Sequence, residues 1–352
     1  MEREEWENNA REIVPRILRD MNDGVLVLDM RGAILYINEQ GCKLLGQSRD
    51  LIGRKYATAL MAQDVQDKND AFHQFVLDAV YDKDNTHSGE ASYQLPNQAE
   101  RQFRLTTSFL YGEDGTQKIG VVVMFSDVTE ITRLHRQRRE SSTIFAIMMI
   151  CVCTYLFLWS LLRHLNIEPP GWVMSVLIEA MSVVMFVVIL KTTSFTIRDI
   201  GLRITNAKAT FLPDILITVI GAAALILGKV VLLRVAPGFF PEGAPFWDWS
   251  VGTVADIAYP LTAILQEFLA RGVMQESLRR IFTGKHAGTL SIVVSALVFG
   301  VLHIAYGLPY MVASSLLLGL LGILYHKQGN IWGLAIIHYV LGEVATFLRY
   351  LI

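Results

Sequence analysis

The stretch LQEFLARGVMQESLRR, Leu265 to Arg280, places a carboxylate, a guanidinium and an amide inside what otherwise reads as a membrane helix. On an α-helix Glu267 and Arg271 stand at i and i+4 with the acid N-terminal, so they can pair on one face, while Gln266 points about 100° away. An ionisable group near the bilayer centre costs roughly 2.5 to 3.5 kcal/mol on insertion scales, so such groups face a bundle interior and often mark function. A purely structural ion pair is the simpler alternative.

Working outward, the chain of 352 residues is 52% hydrophobic and only 18% charged, with a mean hydropathy of +0.38. The apolar residues are unevenly placed. Residues 1 to 140 have the pattern of a water-soluble domain, and residues 141 to 352 hold nearly all the long apolar runs. The formal net charge of −2 and the lack of a basic, aromatic-interleaved patch give no sign of nucleic-acid binding. Cys42, Cys151 and Cys153 form neither a metal motif nor a disulfide framework and read as reduced packing residues. The acidic opening MEREEWENNA is unlike a cleavable signal peptide, so none is expected before the soluble part.

In that part, Trp6, Ala10, Ile13, Ile17 and Leu18 among charges predict an amphipathic N-terminal helix over 4 to 20, interrupted by Pro15. Two short β-rich runs follow, 24 to 29 and 33 to 38, joined by Met30-Arg31-Gly32 as a hairpin. A short helix is expected over 39 to 45, a loop at 51 to 54, and a helix reaching about Tyr81. Strands are expected over 89 to 95, 102 to 111 and 120 to 125, with Gly112 to Gly115 as a turn between the last two.

The order β-β-α-α-β-β-β, opening with DGVLVLDMRGAILYIN and closing with VVMFSDVTEITRL, resembles a PAS domain over about residues 15 to 130. The motif positions are Asp29, Gly32, Ile34, Tyr36 and Asn38 at the entry and Asp127 to Glu130 at the exit. The resemblance implies a sensing and dimerising α/β module, a five-stranded antiparallel sheet with flanking helices. It also implies a small-molecule PAS ligand and a homodimer through the PAS domain, with the ligand's identity unknown. The cysteine motif of flavin photoreceptors is missing. His73, between Phe72 and Phe75 on an amphipathic helix, reads as a core residue before it reads as a haem ligand. We therefore expect a PAS-like sensor with its N-terminal helix over 1 to 130, a juxtamembrane signalling helix over 131 to 142, and a transmembrane domain over 143 to 352.

The uncharged run from Thr143 to Leu162 is long enough to cross about 30 Å of hydrocarbon. Six more apolar segments, 172 to 190, 211 to 233, 256 to 278, 287 to 306, 310 to 325 and 331 to 350, predict an all-α polytopic domain of about seven transmembrane helices. Pro260 is a candidate break in the fourth. If the soluble module is inside, the inner segments carry twelve basic residues, Arg133, Arg136, Arg138, Arg139, Lys191, Arg198, Arg203, Lys208, Arg279, Arg280, Lys285 and Lys327. The outer ones carry three, Arg163, Arg234 and Arg349. The bias predicts a multi-pass cell-membrane protein, with a cytoplasmic sensor and the C-terminus outside.

Two histidines stand out in the later segments, His303 and His338. Each alone reads as a helix-bridging polar residue. Counted from the inner face, Glu267 lies about twelve residues (~18 Å) up its helix, His303 about sixteen (~24 Å) and His338 about eight (~12 Å), which clusters them around mid-membrane.

The same residues carry a second resemblance. Gln266-Glu267-x-x-x-Arg271, Phe299-x-x-x-His303 and His338-x-x-x-Gly342 resemble, in order, the E-E-x-x-x-R, F-x-x-x-H and H-x-x-x-N/D motifs of the CPBP intramembrane peptidases. This is the Abi-type family of the CAAX-processing type II proteases and bacteriocin-processing or immunity proteins, and it places the protein in a bacterial cytoplasmic membrane. The likeness covers about residues 170 to 350 and extends to IRDIGLR (197 to 203) and GNIWG before the last histidine. It implies site residues Glu267, Arg271, His303 and His338, with weaker candidates Gln266, Phe299 and Glu343. It also implies a membrane-protein or peptide substrate or partner in the lipid bilayer, and leaves open a divalent metal such as zinc on Glu267, His303 and His338.

Two positions depart from the family. The first glutamate, which with the F-x-x-x-H histidine activates water, is Gln266, and an amide cannot take a proton at neutral pH. The partner of the last histidine in steadying the oxyanion is Gly342, which has no side chain. General-base catalysis is worth about 10²- to 10⁴-fold and one oxyanion donor about 10²- to 10³-fold, so weakened or lost peptidase activity is expected. A rotation of about 100° could bring Glu267 or Glu343 toward the site, at the cost of leaving Arg271 unpaired in the first case. Asp256 shares a helix face with Glu267 and could contribute. Three readings compete: a PAS-regulated peptidase, a degenerate relative that binds a membrane partner and relays the sensor's state, and a transporter- or channel-like use of the polar core.

Overall fold

The computed structural model describes residues 13–63, 68–82, 86–95, 98–167, 171–204, 207–252, 254–304 and 307–350. The chain divides into two compact units, Met1–His135 and Arg136–Ile352.

The first unit is an antiparallel sheet with helices against one face. Its strands are β1 (Gly24–Asp29), β2 (Ile34–Ile37), β3 (Ser88–Tyr93), β4 (Arg101–Tyr111) and β5 (Lys118–Asp127), in the order β2-β1-β5-β4-β3. Each lies within a few residues of its sequence expectation. Helix α1 covers residues 13–20 and runs through Pro15 without a break; Trp6 and Ala10 lie outside the described residues. Helix α2 is Glu39–Leu45. The single helix expected up to Tyr81 is instead α3 (Tyr56–Ala59) and α4 (Asp70–Tyr81).

Alternation along β1, β4 and β5 turns Leu26, Leu28, Phe103, Leu105, Val121, Val123 and Phe125 into one buried layer. Phe72 of α4 closes it, with ring centroids 5.0 Å from Tyr93, 5.9 Å from Phe103 and 5.8 Å from Phe125. Asn38 explains the end of the opening motif. Its side-chain oxygen accepts from the Val25 and Gly41 amides, and its NH₂ donates to the Leu18 and Asp23 carbonyls. Asp29 accepts from the Arg31 and Ala33 amides, and Gly32 takes φ +77°, where a side chain would be strained. At the exit, Asp127 accepts from the amide and hydroxyl of Thr129, where α5 begins. His73 is buried against the Tyr56 hydroxyl at 2.8 Å.

The second unit is all helical. It contains the membrane part of α5 (Thr129–His164), then α6 (Gly171–Thr192), α7 (Ala207–Val235), α8 (Val254–Glu267), α9 (Glu276–Ile281), α10 (Ala287–Val301), α11 (Leu308–Gln328) and α12 (Trp332–Phe347). Among the described residues, three helices are long and apolar enough by length and composition to cross a membrane, Thr129–His164, Thr210–Val235 and Leu308–Gln328. Ala287–Val301 and Trp332–Phe347 are apolar but shorter, so the expected count of seven crossings does not follow from helix length alone. Pro260 lies inside α8 and does not end it. The departure comes later, where Phe268–Gln275 forms a π-helix that joins α8 to α9.

Three of the polar residues inside these helices bridge to neighbouring elements. Glu179 of α6 accepts from the Thr262 hydroxyl of α8. Asp214 of α7 accepts from Gln328 and lies so close to the start of α12 that a Cβ on Gly333 would fall 1.7 Å from its second oxygen. Lys229 donates to the Pro245 and Phe246 carbonyls and sits over the Phe240 and Phe246 rings.

Candidate active site

All eight residues of the π-helix are buried, and its close packing depends on small residues. A Cβ on Gly272 would lie 2.4 Å from the Ile200 carbonyl, so glycine after Arg271 lets the IRDIGLR loop press against the helix. Ser295 of α10 donates to the Ala270 carbonyl, one of the acceptors in the wide turn. The loop is tied on its other side as well. The Ile331 amide donates to the Gly201 carbonyl, and Trp332 Nε1 donates to the Leu202 carbonyl at 2.9 Å. The two flanking motifs, IRDIGLR and GNIWG, are therefore bonded to each other, and α12 starts from that junction. Arg280 adds an ion pair to Asp199 at 2.6 Å. Burial alone would raise the Asp199 carboxyl, but hydrogen bonds from the Thr196 hydroxyl and amide, with Arg280, outweigh it and hold it below its ordinary range.

The expected Glu267–Arg271 pair forms, fully buried, with Arg271 Nε donating to Glu267 Oε2 at 3.1 Å. The other oxygen, Oε1, accepts from His338 Nδ1 at 2.8 Å. One carboxylate thus serves both partners. This corrects the expectation that Glu267 must leave Arg271 to reach the site, since two oxygens point two ways without any rotation. Arg271 Nη1 reaches Gln275 Oε1 at 3.4 Å, and Gln275 Nε2 donates to the Gly322 carbonyl at 2.9 Å. Arg271 Nη2 has no partner among the described residues.

A carboxylate only accepts, so His338 carries a proton on Nδ1, and its Nε2 faces away from Glu267. His303 is not on a helix as expected. Helix α10 ends at Val301, and His303 follows on the turn, with Nδ1 held by the Phe299 carbonyl at 2.9 Å and its ring 5.7 Å from Tyr310. A carbonyl likewise only accepts, so here too the proton is on Nδ1 and the lone pair on Nε2. Phe299 is buried beneath His303.

Gln266 is half-buried and makes no side-chain hydrogen bond among the described residues. Glu343 is half-buried on α12, and the Asp256 side chain lies outside the described residues. Both Glu267 oxygens accept hydrogen bonds, from Arg271 and His338, and no group of three or more His, Cys, Asp or Glu placed to hold a metal occurs among the described residues.

Sequence reasoning missed two members. Gln275, four residues beyond Arg271 on the same stretch, could have been found from its spacing. Tyr259 could not. Its hydroxyl lies 2.2 Å from where a Cβ on Gly342 would be, and its ring stands edge-on to His338 with centroids 6.4 Å apart. The space beside Gly342 is therefore filled by a residue of α8.

Comparison with known proteins agrees with both units. Residues 12–128 match the PAS fold, and residues 249–342, which contain Gln266, Glu267, Arg271, Phe299, His303, His338 and Gly342 but not IRDIGLR or Glu343, match the type II CAAX prenyl endopeptidase Rce1-like family. The sensor protein kinase WalK of Staphylococcus haemolyticus is 29% identical over 131 residues, covering 35% of this chain and 18% of the kinase. The Staphylococcus aureus WalK is 28% identical over 131 residues, covering 35% and 27%. The chain therefore spans about a quarter or less of these relatives. Among solved structures, a PAS domain from Colwellia psychrerythraea is 20% identical, covering 34% of this chain and 97% of that one at a TM-score of 0.27. The PAS domain of Bordetella pertussis BvgS is 20% identical, covering 36% and 93% at a TM-score of 0.30. The chain thus carries a PAS domain over residues 12–128 and, within its helical unit, an Rce1-like CAAX protease domain over residues 249–342.

Proposed function

We propose that this protein is an intramembrane endopeptidase of reduced activity whose rate is set by its PAS sensor. The observation that carries the reading is the placement of two base-capable imidazoles, with His338 oriented by the Glu267 carboxylate and His303 by the Phe299 carbonyl. His303 takes a proton from water at Nε2, and His338 stays in one tautomer because Glu267, itself anchored by Arg271, holds its proton. Gln266 can orient that water but cannot take its proton, which is why the rate is low. The substrate class carried over from the Rce1-like family is a peptide bond in or next to a membrane-bound protein. The sensor is cytoplasmic, on the strength of the basic residues flanking the apolar segments.

A second reading is a pseudopeptidase that binds a membrane partner and relays the sensor's state. Its supporting observation is that neither Glu267 oxygen is left for water. Cleavage of a membrane-anchored fluorogenic peptide by the purified full-length protein separates the two. The peptidase reading expects measurable turnover, lost in His303→Ala with folded material unchanged, and raised about 10²-fold or more in Gln266→Glu. No turnover by either the unmodified protein or Gln266→Glu would replace it with the pseudopeptidase.

A further inference from the structure

Where α5 and α6 change from polar to apolar sequence, they leave a cavity of about 430 Å³ between them. On α5 the last charges before the apolar run are Arg136, Arg138, Arg139 and Glu140, and the run itself starts at Thr143. On α6 the apolar stretch ends at Leu190 and gives way to Lys191, Thr192 and Thr193. The cavity straddles this level, lined by Arg136, Arg139 and Glu140 on its polar side and by Ile144, Ile147 and Val188 on its apolar side. Its walls are bonded to each other at the polar side, where Glu140 Oε2 accepts from the Ser194 amide at 2.9 Å and the Ser194 hydroxyl at 2.6 Å.

The charges there do not cancel. Arg136 Nε donates to Glu140 Oε1 at 2.8 Å, so those two neutralise each other. Arg139 is exposed, and its side chain has no hydrogen bond or ion pair among the described residues. The threonine hydroxyls on the lining donate to their own helix carbonyls, Thr143 to Arg139 at 3.0 Å, Thr192 to Val188 at 2.7 Å and Thr193 to Ile189 at 2.8 Å. One unneutralised guanidinium therefore faces an apolar wall across the cavity. A free phosphate would gain nothing from Ile144, Ile147 and Val188, and a zwitterionic headgroup brings a cation of its own toward Arg139.

We propose that this cavity binds one anionic phospholipid, its phosphate on Arg139 and the start of an acyl chain against Ile144, Ile147 and Val188. The guanidinium fork donates to the phosphate oxygens, and the bound lipid joins α5 to α6 on the apolar side of the Glu140–Ser194 contact. The site is independent of whether the protein cleaves peptides.

The test is lipid binding to the full-length protein in detergent micelles, read by native mass spectrometry, with phosphatidylglycerol and phosphatidylcholine of the same chains. Phosphatidylglycerol is expected to bind about fivefold more tightly, the worth of one basic residue at a membrane surface. Arg139→Gln changes an exposed, unpaired side chain and should erase that preference. Arg138→Gln, on the same helix but outside the cavity lining, should keep it. Equal binding of the two lipids by the unmodified protein overturns the site. A preference retained in Arg139→Gln, or lost equally in both variants, assigns the affinity to diffuse attraction by the basic segment and overturns it as well. Glycerol phosphate, added as a competitor, should leave phosphatidylglycerol in place. Displacement at matched concentration would make the cavity a site for free anions and overturn the lipid.

Discussion

Glu267 and His338 lie 71 residues apart in the chain and meet at 2.8 Å, with the same carboxylate also holding Arg271 at 3.1 Å. The acid is thus the common anchor of a buried cation and an imidazole. Glu267→Ala removes the counter-charge of a fully buried guanidinium, and we expect a loss of about 3 to 5 kcal/mol of stability. Glu267→Gln keeps the shape and is expected to lose less, because its amide oxygen still accepts from one partner. Thermal unfolding of the detergent-purified variants orders them, and a Glu267→Ala protein as stable as the parent would contradict the anchor.

Gly342→Ala tests the same face from the other side. Its new methyl meets the Tyr259 hydroxyl, and overpacking of this kind costs about 1 to 3 kcal/mol. A double-mutant cycle with Tyr259→Ala is expected to show a coupling of at least about 0.5 kcal/mol, the sign being mutual relief. Additive effects would show that the two do not touch.

Acid should loosen the junction of the IRDIGLR loop. The Asp199 carboxyl is held below its ordinary range, so its contribution is present above the unfolded value near ~4 and is lost as pH falls through the lower folded value. Asp199→Asn is expected to cost about 1 kcal/mol at pH 7, small because the pair is partly exposed to solvent. Its melting temperature and the parent's should converge below about pH 3, whereas a constant gap down to that pH would count against the ion pair.

Helix α5 has neither Gly nor Pro from Thr129 to His164, which leaves it without a built-in hinge. Two glycines inserted after Arg139 should abolish any change in cleavage rate produced by deleting residues 1 to 128. If the insertion leaves that change intact, the helix is not the route of coupling.

The proposed orientation, read from the basic residues, puts the C-terminus outside. A reporter that works only in the cytoplasm, fused after Ile352, should be silent, and an active fusion would reverse the orientation.

Much of this was legible in the sequence because it depends on local spacing. The strands of the PAS unit follow their alternating patterns, and the Glu267–Arg271 pair follows from four-residue spacing. The two flanking motifs IRDIGLR and GNIWG are bonded to each other through Gly201, Leu202, Ile331 and Trp332, a meeting their separate positions in the chain did not announce. What could not be read depends on tertiary approach. Tyr259 carries no motif of its own and enters only because α8 packs beside a glycine of α12. The early end of α10 put His303 on a turn, which an apolar run continuing past it concealed.

The π-helix has one more consequence. Each of its hydrogen-bonded rings holds one residue more than an α-helical ring, so Phe268–Gln275 carries length that the flanking helices do not need. Deleting a single residue there, such as Val273, can be absorbed by tightening to α-helix, with Glu267 and Glu276 kept on their present faces. The same deletion in α8, at Ile264 for instance, has no slack to draw on and turns everything before it by about 100°. The segment at the heart of the site is therefore also the place where the chain can change its length without losing its register.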